Sequence, residues 1–162
     1  MKKVLSALFM CFMAFTMNAQ YIELGLPSGT KWKTSNEQGF YNYEDAVAHY
    51  GTNLPQDWQF QELIDYCEWT WTSRGYKVTG LNGRFIILPA DGCFGCSYNL
   101  NGTWITDENN VYCKGKQGYY QCYCPDCTSD SWAPYLYFDI NSKIIDLNNP
   151  TPFRSIRLIQ NP

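Results

Sequence analysis

The stretch YYQCYCPDC, residues 119–127, places Cys122, Cys124 and Cys127 within six positions, and CFGC (93–96) and Cys113 stand before it. Three chemistries use cysteines at such spacings. In an oxidising compartment Cys93, Cys96, Cys113, Cys122, Cys124 and Cys127 close into disulfides, and six cysteines allow 15 pairings, so connectivity stays open. Each bridge restrains the unfolded chain by about 2–4 kcal/mol, a contribution that a long loop without its own core needs. As thiolates, the CxxC units Cys93/Cys96 and Cys124/Cys127 each suit one edge of a tetrahedral zinc site, and Cys113 and Cys122 could replace one pair. A redox role needs a helix N-terminus after an open strand to depress a thiol pKa. Pro125 is the only hint of that, and no strand–helix–strand pattern surrounds it. Disulfides are the reading adopted, with Cys67 a free thiol on a helix face, no cofactor, and zinc as the alternative.

The compartment is read from the N-terminus. Lys2 and Lys3 precede the apolar run VLSALFMCFMAF, and MNA offers a small residue at Ala19. Residues 1–19 therefore read as a secretory signal cleaved before Gln20. The run falls short of the roughly 18 apolar residues of a membrane span, so no membrane insertion is expected after cleavage. The destination is periplasm, cell surface or exterior. Residues 20–162 suffice for one domain with a hydrophobic core. Cleavage removes two of the 12 basic residues and none of the 15 acidic ones, which disfavours nucleic acid and anionic lipid as partners.

Signals for catalysis are weak. His49 is the only histidine, four residues after Asp45 and off the apolar stripe of its helix, and no nearby residue suggests a nucleophile. The metalloprotease, serine-hydrolase elbow, P-loop and dinucleotide motifs are absent. A glycosidase needs only two carboxylates about 5–9.5 Å apart, for which Asp107, Glu108, Asp126 and Asp130 are the loop candidates. TDENN (106–110) could offer oxygens to calcium, but no carbohydrate-reading calcium motif accompanies it.

Aromatic residues carry the stronger signal. They make up 17% of the chain, with 13 Tyr and 6 Trp. The candidate ligand-binding residues are Trp104, Tyr112, Tyr119, Tyr120, Tyr123 and Trp132, with Asp107 and Asp130 as hydrogen-bonding partners. Aromatic faces stack on the apolar face of a sugar ring and also anchor protein contacts.

The elements that must position these residues follow from periodicity. YIELGL (21–26), PSG and TKWKTSN (30–36) predict a hairpin. Tyr43, Ala46, Val47 and Tyr50 mark one face of a helix over 41–50 that Gly51 terminates. Phe60, Leu63, Ile64 and Cys67 mark a second over 57–69, capped by Asp57. GYKVTG (75–80) and RFIILPA (84–90) predict paired strands, the run FIIL suggesting burial on both faces. Residues 91–134 lack periodicity and predict one long cysteine-rich loop, which in a compact domain is functional or stapled. Strands at 135–140, 143–147 and 153–159 close an α+β chain with a mostly antiparallel sheet.

In order, YIELGLPSGTKWKTSN, FQELIDYCEWTWT, GYKVTGLNGRFIILPADG, GYY (118–120), YLYFD and PFRSIRL resemble the Fibrobacter succinogenes major paralogous domain, a family of exported bacterial proteins. The segments span nearly all of the chain after the signal. The resemblance implies a C-type-lectin-like fold: two helices, a small antiparallel sheet and a long loop region whose surface binds. It implies no catalytic activity. The family often has cysteine where Ser35 stands here, and that cysteine looks like a partner for Cys67. After GYY the family usually continues with tryptophan and serines, where this chain has QCYCPDC.

The expectation is an exported, single-domain, non-catalytic recognition or adhesion protein that binds extracellular glycan or protein through an aromatic, disulfide-stapled loop. The alternatives are a zinc-organised loop protein, a hydrolase using the loop carboxylates, and a structural subunit of a surface assembly.

Overall fold

The computed structural model describes residues 20–95, 111–127, 132–148 and 151–162. They form two helices and three small antiparallel sheets, an α+β arrangement. β1 (Tyr21–Glu23) and β2 (Lys31–Lys33) make the opening hairpin, with Ile22 opposite Trp32. Trp32 is fully buried, so the alternating KWK places two lysines outward around one core ring.

α1 (Tyr43–Tyr50) begins where the Asn42 side chain accepts a hydrogen bond from the Asp45 amide at 2.8 Å. It ends at Gly51, whose φ of 50° favours glycine. α2 (Asp57–Tyr66) is capped by Gln56, not by Asp57: Gln56 is extended, and Gln59 Oε1 accepts its amide at 2.9 Å. Asp57 instead sits inside the first turn, where a negative charge favours the helix dipole. The helix also ends before the expected residue 69. Cys67 is already extended, and β3 (Glu68–Thr72) begins immediately after it.

β3, β4 (Gly75–Thr79) and β5 (Phe85–Pro89) form a meander. FIIL is buried on one face only: Ile86 and Leu88 point into the core, while Phe85 is exposed beneath the Lys77 ammonium. That alternation belongs to an antiparallel sheet with one wet side.

Part of the stretch expected to be loop is strand. β6 (Gly118–Gln121) pairs with β7 (Ala133–Phe138), and β7 with β8 (Lys143–Asn148). The expected strand over 153–159 contracts to β9 (Ile159–Gln160) beside β2. Residues 153–155 before it bridge to Phe94, Tyr41 and Tyr120 in turn, so this segment threads between elements and joins no single sheet. Arg154 and Arg157 travel with it into the interior, and Arg157 donates to the carbonyls of Lys33 and Ile87.

The main core gathers Trp32, Phe60, Leu63, Val78, Ile86, Leu88, Tyr120, Leu136 and Phe138. Phe138 is its hub, with ring centroids 5.4 Å from Tyr76, 5.9 Å from Tyr120 and 6.2 Å from Trp69. A smaller cluster of Ala46, Leu54, Ile156 and Leu158 seats α1.

Candidate functional site: a tyrosine row between two clefts

Because side chains alternate along a strand, the register of β6 on β7 sorts their tyrosines. Tyr120 faces Leu136 and lies in the core, whereas Tyr119 faces Tyr137 on the opposite side of the sheet. Tyr135 lies two residues from Tyr137 on that same side of the sheet but is itself buried, 6% exposed. Tyr119 stands 5.3 Å from Tyr137, tilted, and 6.2 Å from Tyr135, stacked.

Their hydroxyls are fixed. Tyr119 donates to Gln117 Oε1 at 2.7 Å, Gln117 Nε2 donates to the Tyr137 oxygen at 3.1 Å, and Tyr137 donates to Asp139 Oδ2 at 2.8 Å. Tyr135 donates to Asp146 Oδ2 at 2.9 Å. Burial pushes all three phenols up, Tyr135 and Tyr137 to about 12, and their carboxylate partners add to the shift in those two. The hydroxyls therefore stay protonated at neutral pH and are unfit as bases or nucleophiles. The same contact, with the backbone amides of Asn141 and Ser142, holds the Asp139 carboxyl below its usual range.

A cleft opens at each end of the row. At one end, Tyr112, Tyr119, Tyr135, Asn148 and Arg154 line about 150 Å³. The Arg154 guanidinium lies 4.1 Å from the Tyr135 ring centroid and donates to Gln121 Oε1 at 3.1 Å. Burial lowers its pKa to about 10, which leaves it charged at neutral pH. At the other end, Trp71, Lys116, Gln117, Asp139 and Asn141 line about 360 Å³.

Cysteine chemistry is divided. Cys124 and Cys127 are bonded to each other, and Cys93 is also disulfide-bonded. Cys67, Cys113 and Cys122 are free thiols, so Cys113 and Cys122 do not join the expected set of bridges. Cys122 follows β6 into the core, where burial raises its thiol pKa and leaves it inert. Cys113 sits in a tight turn with φ 56°. The Cys124–Cys127 loop is held to α1 by Tyr43, which donates to the Cys124 carbonyl at 2.8 Å and accepts from its amide at 3.3 Å. Bonded to each other, Cys124 and Cys127 are not thiolate ligands, and no group of three or more His, Cys, Asp or Glu among the described residues is placed to hold a metal.

Of the sequence candidates, the structure brings together Tyr112 and Tyr119. Tyr120 is a correction: fully buried, it donates to the Pro89 carbonyl at 2.8 Å and cannot meet a ligand. Tyr123 packs against the small core cluster, and its amide bonds to the Pro55 carbonyl. Trp132 is 65% exposed, its carbonyl beside the Cys127 sulfur, and it lines neither cleft. Trp104, Asp107, Glu108, Asp130 and Cys96 lie outside the described residues. His49 is exposed on α1, its ring against Tyr41 and Tyr50. Sequence reasoning missed Tyr135, Tyr137, Gln117, Asp139 and Trp71. The alternation in YLYFD was the signal for the first two.

The chain matches no family model, no curated protein and no solved structure. Among the described residues no helix is long and apolar enough to cross a membrane. The Cys124–Cys127 disulfide is compatible with an exported protein.

Proposed function

We propose that this chain is an exported, non-catalytic recognition domain of C-type-lectin-like fold, related to the Fibrobacter succinogenes major paralogous domain, and that it binds an extracellular glycan on the tyrosine row. The observation that carries this reading is the side-by-side placement of Tyr119, Tyr135 and Tyr137, with their hydroxyls fixed by Gln117, Asp139 and Asp146. Tyrosines offer broad contact area at low entropic cost, and these are already oriented before any ligand arrives. The part-exposed rings of Tyr119 and Tyr137 meet sugar C–H faces, with the buried Tyr135 stacked behind Tyr119, and the surrounding amides and carboxylates meet sugar hydroxyls. The chemistry is binding without turnover, because the fixed phenols remain neutral donors.

A protein partner is the second reading, favoured by the exposed Trp132, Ile144 and Leu147, which are large apolar groups of the kind that anchor protein contacts. Oxidised protein made by export and applied to a glycan array should bind a restricted set of structures. A blank array with a surface protein retained in pull-downs would replace glycan by protein. Blank results in both, or self-association into assemblies in sizing experiments, would count against recognition.

A further inference from the structure

The cleft at the Asp139 end is built differently from the row it adjoins. Its floor is Trp71, the penultimate residue of β3, half-buried and wedged edge-on against Tyr76 at 4.9 Å and Phe138 at 6.3 Å, so the ring cannot swing. The indole N–H of Trp69 is spent on the Leu63 carbonyl and that of Trp58 on Gln56. That of Trp71 has no hydrogen-bond partner among the described residues.

The polar groups around it are held from behind. Asp139 Oδ1 accepts the amides of Asn141 and Ser142, both at 2.8 Å, and Oδ2 accepts the Tyr137 hydroxyl, which leaves carboxylate lone pairs for a further donor. Gln117 is locked between Tyr119 and Tyr137, and one of its amide hydrogens is still unused. The Asn141 side-chain amide has no partner among the described residues and lines the cleft. The cleft volume of about 360 Å³ falls in the roughly 300–1,000 Å³ range of small-molecule sites.

We infer that this cleft is a subsite for one neutral pyranose ring, laid on Trp71 with its hydroxyls shared among Asp139, Asn141 and Gln117. The inference rests on the glycan reading above and adds to it a specific place and a sugar class. Trp71 supplies a rigid apolar face, the convergent amides and carboxylate match a ring that offers both donors and acceptors, and their orientation is set before binding. Lys116 and Asp139 put one charge of each sign at the cleft, which gives no net preference for a uronate or an amino sugar.

The test uses ¹⁵N-labelled, oxidised protein titrated with methyl glycosides of glucose, galactose and mannose, and with methyl glucuronide. Trp71→Phe, which keeps an aromatic ring against Tyr76 and Phe138, assigns the Trp71 indole signal by its loss. Asn141→Ala removes a side chain the fold does not use, and near-UV dichroism checks both variants. At least one neutral glycoside should shift the Trp71 signal saturably, the glucuronide should bind no more tightly, and Asn141→Ala should weaken binding about tenfold, the size of one lost hydrogen bond. If an array glycan binds the wild type and both variants equally while the Trp71 signal stays still, the cleft is overturned and the tyrosine row stands. If no glycan binds the wild type at all, both fail.

Discussion

Tyr137 donates its hydroxyl hydrogen to Asp139 two residues along the chain, at the point where β7 gives way to the turn into β8. The contact ties one end of the aromatic row to the rim of the larger cleft, and it is the first cause of the low Asp139 pKa. Tyr137→Phe should therefore move the Asp139 midpoint up toward the ordinary carboxylate range, read from its side-chain carboxyl carbon by NMR. The loss of stability should be about 0.5–1.5 kcal/mol, that of one hydrogen bond. An unmoved midpoint would show that the backbone amides alone hold the carboxylate.

The same row sets the alkaline limit. Below pH 10 these phenols are neutral in both folded and unfolded chains, so stability is insensitive to their titration. Between about 10 and 12 the unfolded tyrosines release protons that folded Tyr135 and Tyr137 retain, so the unfolded state gains and stability falls through that window. Melting temperatures across this range, read beside phenolate absorbance, should fall together with a phenolate signal that lags free tyrosine. A flat melting temperature to pH 12 would contradict the account.

Gly118 is the narrowest point behind the row. A Cβ there would lie 2.0 Å from Phe138 Cζ, so Gly118→Ala must displace the hub of the aromatic core. Overpacking of this kind costs about 1–3 kcal/mol, and Phe138→Ala should cost about 3–5 kcal/mol. Denaturant midpoints measure both, and a neutral Gly118→Ala would mean that the ring has room to yield.

Thiol reactivity should follow burial. Cys113, half-exposed in its turn, should alkylate first in the native protein. Cys67 should be slower, its thiol pushed up to about 11 by burial and the Glu62 charge. Cys122 should resist until unfolding. Intact mass after timed alkylation gives the order, and early modification of Cys122 would overturn its core placement.

Legibility in the sequence tracked how local each determinant was. Tyr43, Ala46, Val47 and Tyr50 revealed α1 because helical spacing and the Gly51 terminator are local properties. β3 was hidden because Phe60, Leu63, Ile64 and Cys67 extend a helical pattern past the point where the backbone turns at Cys67. FRSIRLI reads as a strand from its alternation, yet its partners lie on three separate segments, which no local pattern encodes. In the site, GYY does not reveal which tyrosine is buried: the register on β7 sends Tyr120 inward and Tyr119 outward. Trp71, Gln117 and Asp139 come from three distant segments and meet only in the folded chain.

The most direct test of the tyrosine row compares the affinity of wild type, Tyr112→Ala and Tyr119→Ala for the strongest array glycan by titration calorimetry. Tyr112 is 51% exposed, so its loss should leave the melting temperature nearly unchanged. The account predicts that each variant weakens binding at least about tenfold, a loss of roughly 1.4 kcal/mol or more. Wild-type affinity in both variants would mean that the glycan binds elsewhere and that the tyrosine row is not the recognition surface.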